Sequence, residues 1–521
     1  MNTFILGLIV IVYLLSLAYL GWLGYKKTTN ASDYLVGGRE MNPIIMALSY
    51  GATFISASAI VGFGGVAAAF GMGIQWLCML NMLVGVIIAF IIFGLPTRRM
   101  GAKMRVSTFS QFLGKFYKSR KVQVFVAVII FLAMPIYAAV VMKGGAVFLE
   151  QIFNVDYNIS LLIFTLVIAA YVIAGGIKGV MYTDALQACI MFICMLFLLY
   201  YLYHTILGMG FTEANRTLTN MAPLVPAKFK ALGHDGWTAM PVMGSPQWYT
   251  LVTSLILGVG IGCLAQPQLV VRFMTVKSSK ELKRGVFIGS LFIFVTVGVI
   301  YHAGALSNIY FFKTEGHVAT DIIKDIDKII PYFINKAMPE WFSALFMLCI
   351  LSASMSTLSS QFHTMGSALG SDIVGAYRRN RSRNSMIIRL GVLISILVSY
   401  IICYMLPNDI IARGTSFFMG LCAVAFLPAY FCALYWKKAT RQGAMTSLWT
   451  GTVATLFCYV FIHQKESAAI GVCQAIFGRD VLIDCYPIQV IDPILYALPL
   501  SVIAIIVVSL MTQPKEGKNH I

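Results

Sequence analysis

The sequence predicts an all-α integral membrane protein with about thirteen transmembrane helices. Three observations carry this: a composition too apolar for water, apolar runs of membrane-spanning length from end to end, and basic loops that alternate with acidic ones. Of 521 residues, 59% are hydrophobic and only 11% charged, with a mean hydropathy of +0.83. A soluble domain is about a quarter charged. Runs of about 18 to 28 apolar residues suffice to cross a hydrocarbon core of roughly 30 Å as helices.

Taken in order, the first run, 4–25, is too long for a signal-peptide core. It has no basic start and no small-residue cleavage site, so it is expected to stay as a span. The second, 43–70, carries Gly51, Gly62, Gly64 and Gly65. Runs 74–95, 122–149, 158–175 and 180–207 follow without such clustering. The seventh, 249–271, is interrupted by Gly258, Gly260, Gly262 and Pro267. Runs 285–312, 341–370, 386–406, 414–436, 443–463 and 491–511 complete the set.

The net charge of +18, from 38 Lys plus Arg against 20 Asp plus Glu, does not signal nucleic acid, because its placement follows the membrane. Arg98, Arg99, Lys103, Arg105, Lys115, Lys118, Arg120 and Lys121 share one loop, and Arg272, Lys277, Lys280, Lys283 and Arg284 another. Arg378, Arg379, Arg381 and Arg383, then Lys437, Lys438 and Arg441, fall on the same side when every span is counted. Asp321, Asp325, Asp327, Asp480 and Asp484 fall opposite. Basic loops stay in the cytoplasm, which puts the N-terminus outside and the C-terminus inside. These loops orient the chain and touch anionic lipid rather than bind a partner. Most of the 11 cysteines lie in apolar spans; Cys473 and Cys485 share an external loop, where a disulfide is as readily absent as present.

No linker or low-complexity tract divides the chain, which reads as one membrane domain over 1–521. The interrupted spans are five apart, the signature of two inverted five-helix units with binding sites where the breaks meet. The units would be 43–207 and 249–436, with 4–25 an extra N-terminal helix and 443–511 two C-terminal ones. Glycines that only let helices pack closely would leave the same trace.

Within 341–370, Leu351-Ser-Ala-Ser-Met-Ser-Thr-Leu-Ser-Ser-Gln361 sets many hydroxyls in mid-membrane. Ser356, Ser359 and Ser360 share a helical face, with Ser352 one turn earlier. Hydroxyl and carbonyl oxygens suit a hard cation such as Na⁺, and the same serines suit a packing face with each hydroxyl bonded to its own helix. Asp184 is the one carboxylate read inside a span, as an ion ligand or a helix cap. His302 and His363 are given no role. No metal-ligand cluster, nucleophile–base pair or phosphate loop points to an enzyme.

Four ordered motifs carry a resemblance: Gly51-Ala-Thr-Phe-Ile-Ser-Ala-Ser58, Gly175-Gly-Ile-Lys-Gly-Val-Met-Tyr-Thr-Asp-Ala-Leu-Gln187, Gln266-Pro-Gln-Leu-Val-Val-Arg-Phe-Met274 and Ala353-Ser-Met-Ser-Thr-Leu-Ser-Ser360. Over nearly its whole length the chain resembles the solute:sodium symporter family. The resemblance implies a LeuT-like 5+5 inverted repeat with a sodium site formed by backbone oxygens of Ala52, Ile55 and Ala353 and hydroxyls of Ser356 and Thr357. Some members have a second sodium site, and Asp184, Ser356, Ser359 and Ser360 match it. By similarity, Thr53, Ser56, Ser58, Tyr137 and Cys263 line the solute pocket. The proline carriers have an Asp where this chain has Phe54 and an inner-gate aromatic where it has Cys263, which points away from proline.

Ile55-Ser-Ala-Ser58 reads more like the pantothenate and monocarboxylate branches. The expected activity is therefore sodium-coupled import of a small organic carboxylate across the plasma membrane by alternating access, with Na⁺, solute and lipid as the only partners. The alternatives are symport of a neutral amino acid, a proton-coupled variant and, last, a transporter-like sensor. Lys143 either attracts the anion or, as expected here, snorkels to the outer interface.

Overall fold

The computed structural model describes residues 3–28, 31–172, 176–377 and 384–513. Arg378, Arg379, Arg381, Arg383 and Gly175 lie outside them. Among the described residues the regular structure is helical, joined by loops, and the one β-bridge among them joins Met41 to Val276.

The helices that matter below are α1 (Thr3–Lys26), α2 (Pro43–Phe54), α3 (Ser58–Phe70), α4 (Met72–Met104), α5 (Phe109–Phe116) and α6 (Arg120–Phe153). They continue as α7 (Tyr157–Val172), α8 (Ile177–Leu207), α9 (Pro246–Ala265), α10 (Pro267–Phe273), α11 (Ser279–Glu315) and α12 (Ile329–Ala337). The last five are α13 (Glu340–Tyr377), α14 (Asn384–Met405), α15 (Ile411–Tyr435), α16 (Arg441–Phe461) and α17 (Ile494–Thr512).

Eleven described helices are long and apolar enough to cross a membrane, and α2 with α3 makes a twelfth as a span bent by 55°. The expected span at 158–175 falls on α7, a 16-residue helix.

The break lies at residues 55–57, where Ile55 is extended (φ −87°, ψ 103°), not at the glycines that flank it. Those glycines serve close approach. A Cβ on Gly65 would sit 2.2 Å from the Ile326 carbonyl, and one on Gly262 would sit 2.3 Å from that of Met419. The seventh span likewise runs unbroken through Gly258–Gly262 and stops at Gln266, which is extended (φ −67°, ψ 120°) ahead of Pro267. The residue before a proline is driven out of helical conformation, and Pro267 restarts the chain as the first residue of α10.

α13 is the centre of the bundle, buried along nearly its whole length. α15 marks the molecule's two ends. Its first turn receives the acidic loop: Asp327 accepts from the Ile410 and Ile411 amides at 3.1 and 3.3 Å, and Asp409 accepts from the Ile326 amide at 2.6 Å. Burial and the neighbouring Asp325 push Asp327 up to about 7, against the amide of Ile411. Near its other end, Tyr430 bonds Thr97 at 2.5 Å, beside the first basic loop. There Arg98 donates to the Val276 carbonyl and Arg99 to Ser279, both at 3.3 Å, so the two basic loops share one end.

Lys143 is buried, only 4% exposed. Its ammonium donates to the carbonyls of Leu406, at 3.2 Å, and Pro407, satisfying orphan acceptors just past the end of α14. Cys473 is buried, Cys485 exposed, and both are free thiols.

Candidate functional site

The break leaves the last carbonyls of α2 without helical partners, and α13 supplies them. Ser356 Oγ donates to the Ala52 carbonyl at 2.8 Å and lies 3.2 Å from that of Ala353; Thr357 Oγ1 donates to the Thr53 carbonyl at 3.0 Å. All of these residues are buried. Ala52, Ala353, Ser356 and Thr357 thus converge as an oxygen-only set, with Ile55 at the C-cap beside it. Neutral oxygens that can turn from each other toward a cation suit Na⁺.

The expected second set is arranged differently. Asp184, fully buried, accepts through Oδ2 from Ser49 at 2.7 Å, Thr53 at 3.3 Å and the Arg272 guanidinium at 2.9 Å. Arg272 also donates to Ser360 and Thr53, both at 2.5 Å, to Ser49 at 3.0 Å and to the Gln268 carbonyl at 2.7 Å. Ser360 therefore joins Asp184. Ser359 instead donates to the Ser356 carbonyl of its own helix at 3.1 Å, and Ser356 faces Ala52. Asp184 Oδ1 has no hydrogen-bond partner.

Arg272, counted above among the cytoplasmic loop charges, is only 2% exposed and is the counter-ion of the buried acid. It sits in the short helix α10, past the end of the seventh span, where every residue is buried. Its neighbours Leu269, Val270 and Phe273 were the available signal, because a loop arginine is not flanked by a buried apolar turn.

The solute residues divide. Ser56 and Tyr137 line a central cavity at the break with Asn81, Tyr301 and Thr415. Tyr137 stacks on Phe418 with centroids 5.3 Å apart. Asn81 Oδ1 has no partner, and an amide set in the apolar run 77–95 was a legible hint. Thr53 turns its side chain to Asp184. Ser58 is buried with a free hydroxyl. Cys263 donates to the Gly260 carbonyl at 3.0 Å and sits near Gly85, whose absent Cβ would lie 3.3 Å from its sulfur. The cavity measures about 10 Å³, room for one water at most, so an organic solute enters only when the helices part.

A family model described as the sodium:solute symporter family matches residues 34–451. The chain belongs to the sodium:solute symporter family. It is 27% identical over 476 residues to the osmoregulated proline transporter OpuE of Bacillus subtilis, covering 90% of each chain. It is 27% identical over 503 residues to the sodium/proline symporter of Staphylococcus aureus, covering 93% of this chain and 90% of that one. In fold it resembles a Na⁺-coupled sialic acid symporter solved substrate-bound and outward-open, with a TM-score of 0.74 at 17% identity over 98% of both chains. Mhp1, a nucleobase-cation-symport-1 family transporter in a closed conformation, aligns at a TM-score of 0.53 and 13% identity, over 94% of this chain and 97% of that one. The protein is accordingly a multi-pass transporter of the cell membrane with Na⁺ as coupling ion, and its relatives are transporters rather than enzymes.

Proposed function

We propose that this symporter carries a small neutral amino acid of the proline type, a reading that replaces the carboxylate expected from Ile55-Ser-Ala-Ser58. The observation that carries it is the central cavity: its polar groups are Ser56, Asn81, Tyr137, Tyr301 and Thr415, and none of its lining side chains is charged. A lone carboxylate there would lose its hydration without a cationic side chain in return. An amino acid brings both charges, and the break sets the carbonyl end of α2, with its partial negative charge, against the amide end of α3, with its partial positive charge. The proline symporters among its relatives support the same class. Phe54 and Cys263, which stand where proline carriers have other residues, then set a modified pocket rather than a different substrate class.

In this mechanism external Na⁺ occupies the oxygens of Ala52, Ile55, Ala353, Ser356 and Thr357, bridges α2 to α13 and raises solute affinity by linkage. Alternating access follows, with two five-helix repeats (43–207 and 249–436) moving about the site. The placement of the basic and acidic loops at opposite ends of α15 supports a cytoplasmic basic end, thirteen spans and an external N-terminus. Asp184 with Ser360 binds a second Na⁺ only in a conformation that withdraws Arg272.

The test is thermal stabilisation of purified protein by a solute panel in Na⁺ and in equal K⁺, since a ligand selective for the folded state raises its melting temperature. Proline or a small neutral amino acid is expected to stabilise only in Na⁺. Stabilisation by lactate or pantothenate instead would restore the carboxylate reading, and equal shifts in both salts would remove sodium from the binding step.

A further inference from the structure

Below the Asp184–Arg272 pair, a second cavity opens between α5, α10 and α13. It measures about 20 Å³, room for roughly one water or one bare cation and for no organic solute. Its wall on α13 is a polar stripe. Ser360, Thr364 and Ser367 continue the face that begins at Ser356, and Asp372 closes it. At 1.5 Å per residue, Asp372 stands about 18 Å beyond Ser360, toward the end of the molecule that carries the basic loops.

Asp372 is 1% exposed. One carboxylate oxygen accepts from Thr108 at 2.9 Å and from Gln111 at 3.0 Å, and no basic side chain among the described residues pairs with it. The basic group nearest in the cavity wall, Arg272, is committed to Asp184. A buried carboxylate with only neutral donors is costly in a membrane protein and marks an ion pathway by default. Two further acceptors face the same space. Gln268 Oε1 and His363 Nε2, in residues 1% and 7% exposed, have no hydrogen-bond partner. The carboxylate also sits in a π-helical stretch, Ala368–Val374, an irregularity that recurs at functional sites.

We propose that this cavity is a cytoplasmic cation station: Na⁺ leaving Ser356 and Thr357 follows Ser360, Gln268, His363, Thr364 and Ser367 and pauses on Asp372 before it enters the cytoplasm. The station rests on the sodium-coupled reading and adds a weak exit site to it. It separates ion release from solute release, because the solute is too large for the cavity.

Binding of ²²Na⁺ to purified full-length protein tests this without any solute. Wild type is expected to show two components about tenfold or more apart in affinity, a gap of about 1.4 kcal/mol or more. Asp372→Asn keeps the acceptor for Thr108 and Gln111 but removes the charge. It should lose the weak component alone, with a melting temperature within about 2 °C of wild type, and Asp372→Glu should restore it. Ser356→Ala should lose the tight component alone. An Asp372→Asn titration identical to wild type overturns the station. So does loss of both components together with a melting temperature that Asp372→Glu fails to rescue, which would make Asp372 a bolt between α5 and α13. A wild type that binds no sodium would instead sink the coupling reading itself, and the station with it.

Discussion

At the first break, between Phe54 and Ser58, the exposed carbonyl end of α2 is met by hydroxyls of α13. At the second, at Gln266, the chain turns into α10 and delivers a guanidinium to Asp184. The first junction is made of neutral oxygens whose hydrogen bonds a small cation can replace at little cost. The second is an ion pair in a nearly water-free site, where removal of either partner strands the other. One break is therefore built to exchange ligands and the other to hold. Thr53 belongs to both, with its carbonyl on Thr357 and its hydroxyl on Asp184, Arg272 and Ser360. A cation in the first set, as proposed above, would thus bear directly on the position of the second.

The largest expected effect breaks the rigid junction. Arg272→Met leaves Asp184 buried and uncompensated, at a cost of about 3–5 kcal/mol, seen as a large drop in melting temperature. The double variant with Asp184→Asn should recover a substantial part of it. Single and double variants of equal stability would show that the pair holds nothing.

Next, Ser356→Ala should weaken Na⁺-dependent stabilisation at least tenfold, about 1.4 kcal/mol, while costing no more than about 1–3 kcal/mol of stability in K⁺. An unchanged Na⁺ titration would dissociate the oxygen set from the ion.

The acidic latch at the start of α15 should respond to pH. Because the folded state raises Asp327 from 3.8 to about 7, the folded state holds this proton more tightly than the unfolded one. Its contribution to stability is complete below about pH 3.8 and is lost as pH rises through about 7. Melting temperatures across that window should fall less steeply in Asp327→Asn than in wild type, and parallel curves would exclude Asp327 as the source.

Smallest is Ser359→Ala, which removes a hydroxyl bonded to its own helix. A change of about 0.5 kcal/mol and an unaltered Na⁺ response are expected. A tenfold loss of Na⁺ affinity would place Ser359 in the ion shell after all.

Composition and periodicity alone determined the membrane class, the approximate spans, the grouping of the basic loops and the importance of the α13 serines. Each follows from local physics: apolar length against bilayer thickness, and hydroxyls too numerous for lipid. The motif resemblance supplied the oxygen set at Ala52, Ala353, Ser356 and Thr357, because a helix break and a serine run leave a linear trace. Only tertiary structure decided which partner each buried charge received. Arg272 and Asp184 are 88 residues apart, and although the apolar neighbours of Arg272 hint that it is buried, nothing local names its partner. The same holds for Lys143, which reads as an interfacial residue until the carbonyls beyond α14 are brought to it, and for Ser359, whose neighbours on the same face turn toward other helices. Side chains settle by the nearest available partner once the helices pack, and that partner is set by the fold rather than by sequence neighbours.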